Sequence, residues 1–120
     1  MISLGIDLVD IERFELLLQN GDFLERCFSP AELARYGETK KITYLAGRFA
    51  VKEAVVKALG TGLIDGMSLG DIEVGQLPSG APEIRLAGLA ATIAQGLGIR
   101  KWLVSISHTQ IHATAVVMAE

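Results

Sequence analysis

The chain predicts a single α+β domain, 1–120, with its elements in the order β-α-α-α-β-β-α-β-β. Three observations predict it. The apolar period switches repeatedly between two residues and about 3.6 along the chain. Glycine, proline or asparagine breaks separate the periodic runs, and no linker, repeat or low-complexity tract divides them. At 120 residues there is room for one core and one domain.

Residues 2–8 alternate strictly, with Ile2, Leu4, Ile6 and Leu8 on one face and Ser3, Gly5 and Asp7 on the other. This predicts a half-buried strand that delivers Asp7 near its end, opposite the apolar set. From Asp10 the period becomes helical through Ile11, Phe14, Leu17 and Leu18, until Asn20-Gly21 breaks it. A short helix follows around Phe23 to Phe28. Ser29-Pro30-Ala31-Glu32 then combines a capping serine, a proline suited to the first turn and a glutamate that completes a capping box. The helix it starts ends near Gly37.

The longest element runs from near Lys41 to Leu59, closed by Gly60, with Ile42, Leu45, Phe49, Val56 and Leu59 as its apolar stripe. It also carries Arg48, Lys52, Glu53 and Lys57, more charge than a core helix needs. Residues 71–75 and 83–87 read as a hairpin across Pro78-Ser79-Gly80, and 88–98 as a short helix weakened by Gly96. Strands at 101–107 and 112–119 complete the chain. Both alternating sets of the last strand are mostly apolar, so cover is expected on both of its faces.

Composition narrows the function classes. Half of the residues are hydrophobic and the mean hydropathy is +0.39, yet charged residues interrupt every candidate for a membrane span. The surplus suggests apolar surface covered by another subunit. A net charge of -3 gives no basic footprint for nucleic acid. The lone Cys27 excludes an internal disulfide and fits a reducing cytoplasm. The opening MISLGIDLVD has no basic region and reaches Asp7 too soon for a signal peptide.

The strongest chemical signal is RFAVKEAVVKALGTG, 48–62, where Phe49, Glu53 and Lys57 fall at steps of four on one helix face. On spacing alone, Glu53 and Lys57 make an ordinary surface pair worth about 0.2–0.5 kcal/mol. Asp7 changes the weighing. Two carboxylates from separate elements suit Mg²⁺, which leaves its other positions to water and substrate phosphates, and a nearby lysine supplies a point charge for those phosphates.

GIDLVDIERF, LAGRFAVKEAVVKALGTG, SGAPEI and VSISHT, in this order and at these separations, closely resemble the holo-[acyl-carrier-protein] synthases, the small phosphopantetheinyl transferases. The resemblance covers Gly5 to about Val117. It implies transfer of 4′-phosphopantetheine from coenzyme A to a serine of an apo acyl carrier protein, with release of adenosine 3′,5′-bisphosphate, in fatty acid or polyketide biosynthesis. It makes Asp7 and Glu53 the magnesium ligands and Lys57 the pyrophosphate contact. Glu53 or a water on the metal is left as the base for the serine proton. Arg48 is implied near the 3′-phosphate, Ser79, Gly80 and Pro82 near the adenine, and His108 on the phosphate side of coenzyme A. His112 is read as structural.

The resemblance further implies a trimer with sites between neighbouring subunits, and carrier docking through Arg13, Phe14, Leu17 and Phe49. Gln19-Asn20-Gly21-Asp22 lacks the basic residues that relatives carry after the first helix, and Glu12 and Glu15 add negative charge, leaving Arg13 and Arg26 for an acidic carrier. Two rival functions use parts of the same constellation. A metal-dependent coenzyme A pyrophosphohydrolase needs the carboxylates and lysine without a carrier surface, and a non-catalytic coenzyme A-binding module has no need of both carboxylates.

Overall fold

A computed structural model describes residues 2–120. Strand β1 (Ser3–Asp10) leads into helices α1 (Ile11–Leu18), α2 (Phe23–Cys27), α3 (Pro30–Thr39) and α4 (Ile42–Leu59). The hairpin strands β2 (Ile72–Gln76) and β3 (Pro82–Leu86), helix α5 (Gly88–Gly96) and strands β4 (Trp102–His108) and β5 (His112–Ala119) follow. The order is the predicted one, with boundaries shifted by one or two residues and a single 3-10 turn, Leu69–Asp71, before β2.

The local signals act as the residues dictate. Asp10 caps α1 by accepting from the backbone N–H groups of Glu12 and Arg13. Ser29 and Glu32 close a reciprocal capping box at α3. Gly60, at φ +80°, ends α4 in the left-handed region where glycine carries no steric cost.

The strands form two antiparallel sheets, β1-β5-β4 and β2-β3. Helix α4 lies against the inner face of the larger sheet and also touches β2, α1 and α3. It is therefore buried on nearly every side: Leu45, Ala46, Ala50, Val51, Ala54, Val55, Val56, Ala58 and Leu59 are all in the core. The single apolar stripe expected of it is corrected to a helix wrapped all round. Phe14, Phe23 and Phe49 make an aromatic cluster beneath α1, with ring centroids 5.3–6.0 Å apart.

The expected burial of β1 is reversed within the chain. Leu4, Ile6 and Leu8 are 66%, 64% and 65% exposed, and Ile2 is exposed as well. The face that meets α4 carries Ser3, Gly5, Asp7 and Val9. Its small side chains permit a very close approach, since a Cβ on Gly5 would lie 1.8 Å from the Ala54 carbonyl oxygen. Ser3 Oγ also donates to the Ala58 carbonyl at 2.7 Å. A larger residue could not stand where β1 crosses α4 at Gly5, so Leu4, Ile6 and Leu8 point outward. The last strand follows suit: Ala113, Ala115, Val117 and Ala119 are buried, whereas Val116 on the other face is exposed. One face of β5, rather than two, is covered by its own chain.

Candidate active site

Asp7 sits on the inner face of β1, in register with Ala115 of β5. The close packing of β1 on α4 brings it to the last turns of the helix. Lys57 Nζ donates to Asp7 Oδ1 at 3.1 Å and to the Ile6 carbonyl at 2.9 Å. Asp7 is largely sheltered, and Lys57 remains more than half exposed at the rim. Glu53, one turn earlier, completes the group.

Burial raises the Glu53 carboxyl above its ordinary range, the Asp7 charge raises it further, and Lys57 partly opposes them. A half-buried carboxylate facing a second one is a donor pair that favours an added cation. Among the described residues, no group of three or more histidine, cysteine or acidic side chains forms a ligand cluster. Two carboxylates with a neighbouring lysine fit a hard divalent ion that shares its coordination with water and phosphate oxygens, and do not fit a protein-only metal cage.

Asp7 and Glu53 open into a cleft of about 310 Å³ whose walls include Asp10, Arg13, Leu17 and Phe49. Three of the residues expected at a carrier surface thus share a cavity with the carboxylates. Phe14 also reaches that cleft but is 1% exposed. It is a core residue supporting the wall, which corrects its expected place on an exposed docking face.

A second cleft, of about 540 Å³, lies between α3, α4 and the hairpin. Arg48 and Gly80, expected at different parts of one nucleotide, both line it. Arg48 stacks its guanidinium 4.2 Å from the Tyr44 ring centroid, and its Nε is buried without a partner among the described residues. Gly80 has φ +92° and donates its N–H to the Leu77 carbonyl at 2.8 Å, which closes the turn. Ser79 Oγ accepts from the Ala81 N–H, and Pro82 begins β3, so both shape the turn.

Arg35 and Arg85 join Arg48 in this cleft and were missed in the sequence. The only signal for Arg85 was the hairpin, whose register sets Glu73 opposite it, and Arg35 on α3 had none. Arg85 is held over the hairpin by Glu83 at 3.0 Å and Glu73 at 3.7 Å.

His108 is exposed at the end of β4. It pairs with Ala113, which pairs with Val9, so β5 stands between His108 and β1. Two strand spacings put it about 10 Å across the sheet from β1. One chain does not bring His108 to Asp7.

The model of the 4′-phosphopantetheinyl transferase superfamily matches residues 3–116. A holo-[acyl-carrier-protein] synthase of Nitratidesulfovibrio vulgaris is 44% identical over 122 residues, covering 100% of this chain and 98% of the relative. One from Koribacter versatilis is 44% identical over 124 residues, with the same coverage. The crystal structure of the holo-[acyl-carrier-protein] synthase of Neisseria meningitidis superposes with a TM-score of 0.89 at 34% identity, covering 100% of this chain and 99% of that one. The Helicobacter pylori synthase in complex with coenzyme A gives 0.83 at 36% identity, covering 98% and 99%. With the sheet-and-helix frame that joins Asp7 to Glu53 and Lys57, these likenesses establish that the chain belongs to the holo-[acyl-carrier-protein] synthases of the 4′-phosphopantetheinyl transferase superfamily.

Proposed function

We propose that this protein transfers 4′-phosphopantetheine from coenzyme A to a serine hydroxyl of an apo acyl carrier protein, at the cleft where Asp7, Glu53 and Lys57 meet. The convergence of those three side chains from β1 and α4 carries the reading. Asp7 and Glu53 would hold Mg²⁺, which supplies charge neutralisation at the pyrophosphate. Lys57 stands beside Asp7 as a phosphate contact.

The serine oxygen bonds to the pantetheine-side phosphorus, and the bond from that phosphorus to the bridging oxygen breaks. Adenosine 3′,5′-bisphosphate leaves carrying the new negative charge. Lys57 stabilises that charge electrostatically, the usual source of rate in phosphoryl-type transfer. The serine proton leaves to Glu53 or to a water held in the cleft. The second cleft, with Arg48, Tyr44 and the Gly80 turn, suits the adenosine bisphosphate end. Arg13 and Leu17 offer the carrier one positive and one apolar contact at the rim of the first.

The outward sheet face, with Leu4, Ile6, Leu8, Leu103 and Val116 exposed, supports a homotrimer. In that assembly His108 of a neighbouring subunit completes the site that a single chain leaves open. Cytoplasmic action in fatty acid biosynthesis is the setting that goes with this reaction. No helix is long and apolar enough to cross a membrane, among the described residues.

Incubation with Mg²⁺, coenzyme A and an apo carrier, followed by intact-mass measurement, tests the reaction. The expected product is a phosphopantetheine adduct on the carrier that EDTA abolishes. Coenzyme A loss without an adduct would mean hydrolysis, and binding without turnover would mean a non-catalytic module.

A further inference from the structure

Lys52 is the most anomalous side chain in the molecule. It belongs to the charged run of α4, yet it is 0% exposed, and its partner Glu32 is 2% exposed. The ammonium has three donors and three acceptors: Glu32 Oε1 at 2.7 Å, the Leu69 carbonyl at 3.1 Å and the Ile72 carbonyl. Glu32 is equally committed. Its Oε1 also accepts from the Ser29 N–H at 2.9 Å, and its Oε2 accepts from the Val74 N–H at 2.9 Å. One ion pair therefore ties α4 to the start of α3, to the 3-10 turn and to β2.

Such a pair is a costly way to gain stability. Desolvating two charges consumes most of their mutual attraction, and well-packed apolar residues of similar volume are often as stable or more so. What the pair does provide is fixed geometry, because each hydrogen bond has one direction and one length. The elements it joins are the walls of the larger cleft. Glu32 and Val74 line that cleft with Arg48, and Arg48 lies one helical turn before Lys52 on the same face of α4.

We propose that Lys52 and Glu32 are positioning residues for coenzyme A binding: their buried pair fixes the roll of α4 against β2 and so the spacing of Arg48 from the Gly75–Gly80 arm of the hairpin. The proposal rests on the coenzyme A reading above and assigns this pair no contact with the substrate. Burial also lowers the proton affinity of Lys52, and the Glu32 charge beside it counters this, so the ammonium depends on its partner.

The test is calorimetric binding of coenzyme A and steady-state kinetics for Lys52→Met in the full-length protein. Dissociation constant and KM for coenzyme A are expected to rise at least tenfold, while KM for the carrier and kcat at saturating coenzyme A stay within about threefold. Combined with Arg48→Ala, the two changes should be less than additive in coenzyme A affinity, because each removes the same positioned contact. Ile93→Ala in α5, outside that cleft, serves as a packing control and should leave coenzyme A affinity unchanged.

Unchanged coenzyme A affinity in a folded Lys52→Met protein would overturn the proposal, as would an equal loss in Ile93→Ala. If Lys52→Met does not fold, Glu32→Gln, which keeps the side-chain volume and one acceptor oxygen, carries the same comparison. Failure of the unaltered protein to bind coenzyme A would instead overturn the underlying reading, so the two failures are distinct.

Discussion

Glu53 is poorly placed for stability and well placed for chemistry. Its proton affinity is raised by burial first and by Asp7 second. A carboxylate whose folded value lies above its unfolded value of 4.5 destabilises the fold at neutral pH, where it must be charged. That penalty is fully present above the raised folded value and disappears as pH falls to the unfolded one. In metal-free protein, Glu53→Gln should therefore raise Tm at pH 7, and the gain should vanish near pH 4 while activity is lost at all pH values. A thermal scan at the two pH values checks this. Asp7→Ala should lower kcat/KM by roughly 10²–10³-fold, the size typical for removing one charge-stabilising group. Steady-state assay at saturating Mg²⁺ is the measurement, and near-normal turnover would remove Asp7 from the chemistry. The two carboxylates of the cleft, Asp7 and Glu53, were legible because both fall in recognisable strings. Lys52 was not, since nothing near it in sequence marks it as buried and its partner Glu32 lies 20 residues away in a helix cap.

At the scale of elements, the contact of β1 with α4 places the site. It depends on Gly5, where any side chain would drive a Cβ into the Ala54 carbonyl. Gly5→Ala should cost about 3 kcal/mol, the upper end of the overpacking range, because backbone rather than a flexible side chain blocks the space. Chemical denaturation should show that loss, with activity falling as Asp7 moves from Lys57. The capping box at Ser29, the stop at Gly60 and the hairpin at Pro78-Ser79-Gly80 were legible, since each depends on chemistry within a few residues. The faces of β1 were not. Alternation shows that Leu4, Ile6 and Leu8 share a side, but only the packing against a small-residue helix decides which side its own chain covers.

At the scale of the whole molecule, the apolar composition finds its place on one sheet face. Leu4, Ile6 and Leu8 of β1 align with Val116 of β5 and Leu103 of β4 through the strand register, forming a continuous outward surface. If neighbouring subunits cover it and contribute His108, assembly and catalysis are coupled. Ile6→Glu should reduce the sedimenting species from three times 12.8 kDa to one, and coenzyme A turnover should fall at least 100-fold with Asp7, Glu53 and Lys57 intact. An active monomer would refute that coupling.

Together, Asp7 and Glu53 are proposed to make this cleft a transferase centre. The most direct measurement is the intact mass of an apo carrier after incubation with coenzyme A, Mg²⁺ and either the unaltered protein or an Asp7→Ala/Glu53→Ala variant of the same sedimentation behaviour. A phosphopantetheine adduct is expected with the unaltered protein and none with the variant. An adduct formed equally by both would remove the two carboxylates from the chemistry.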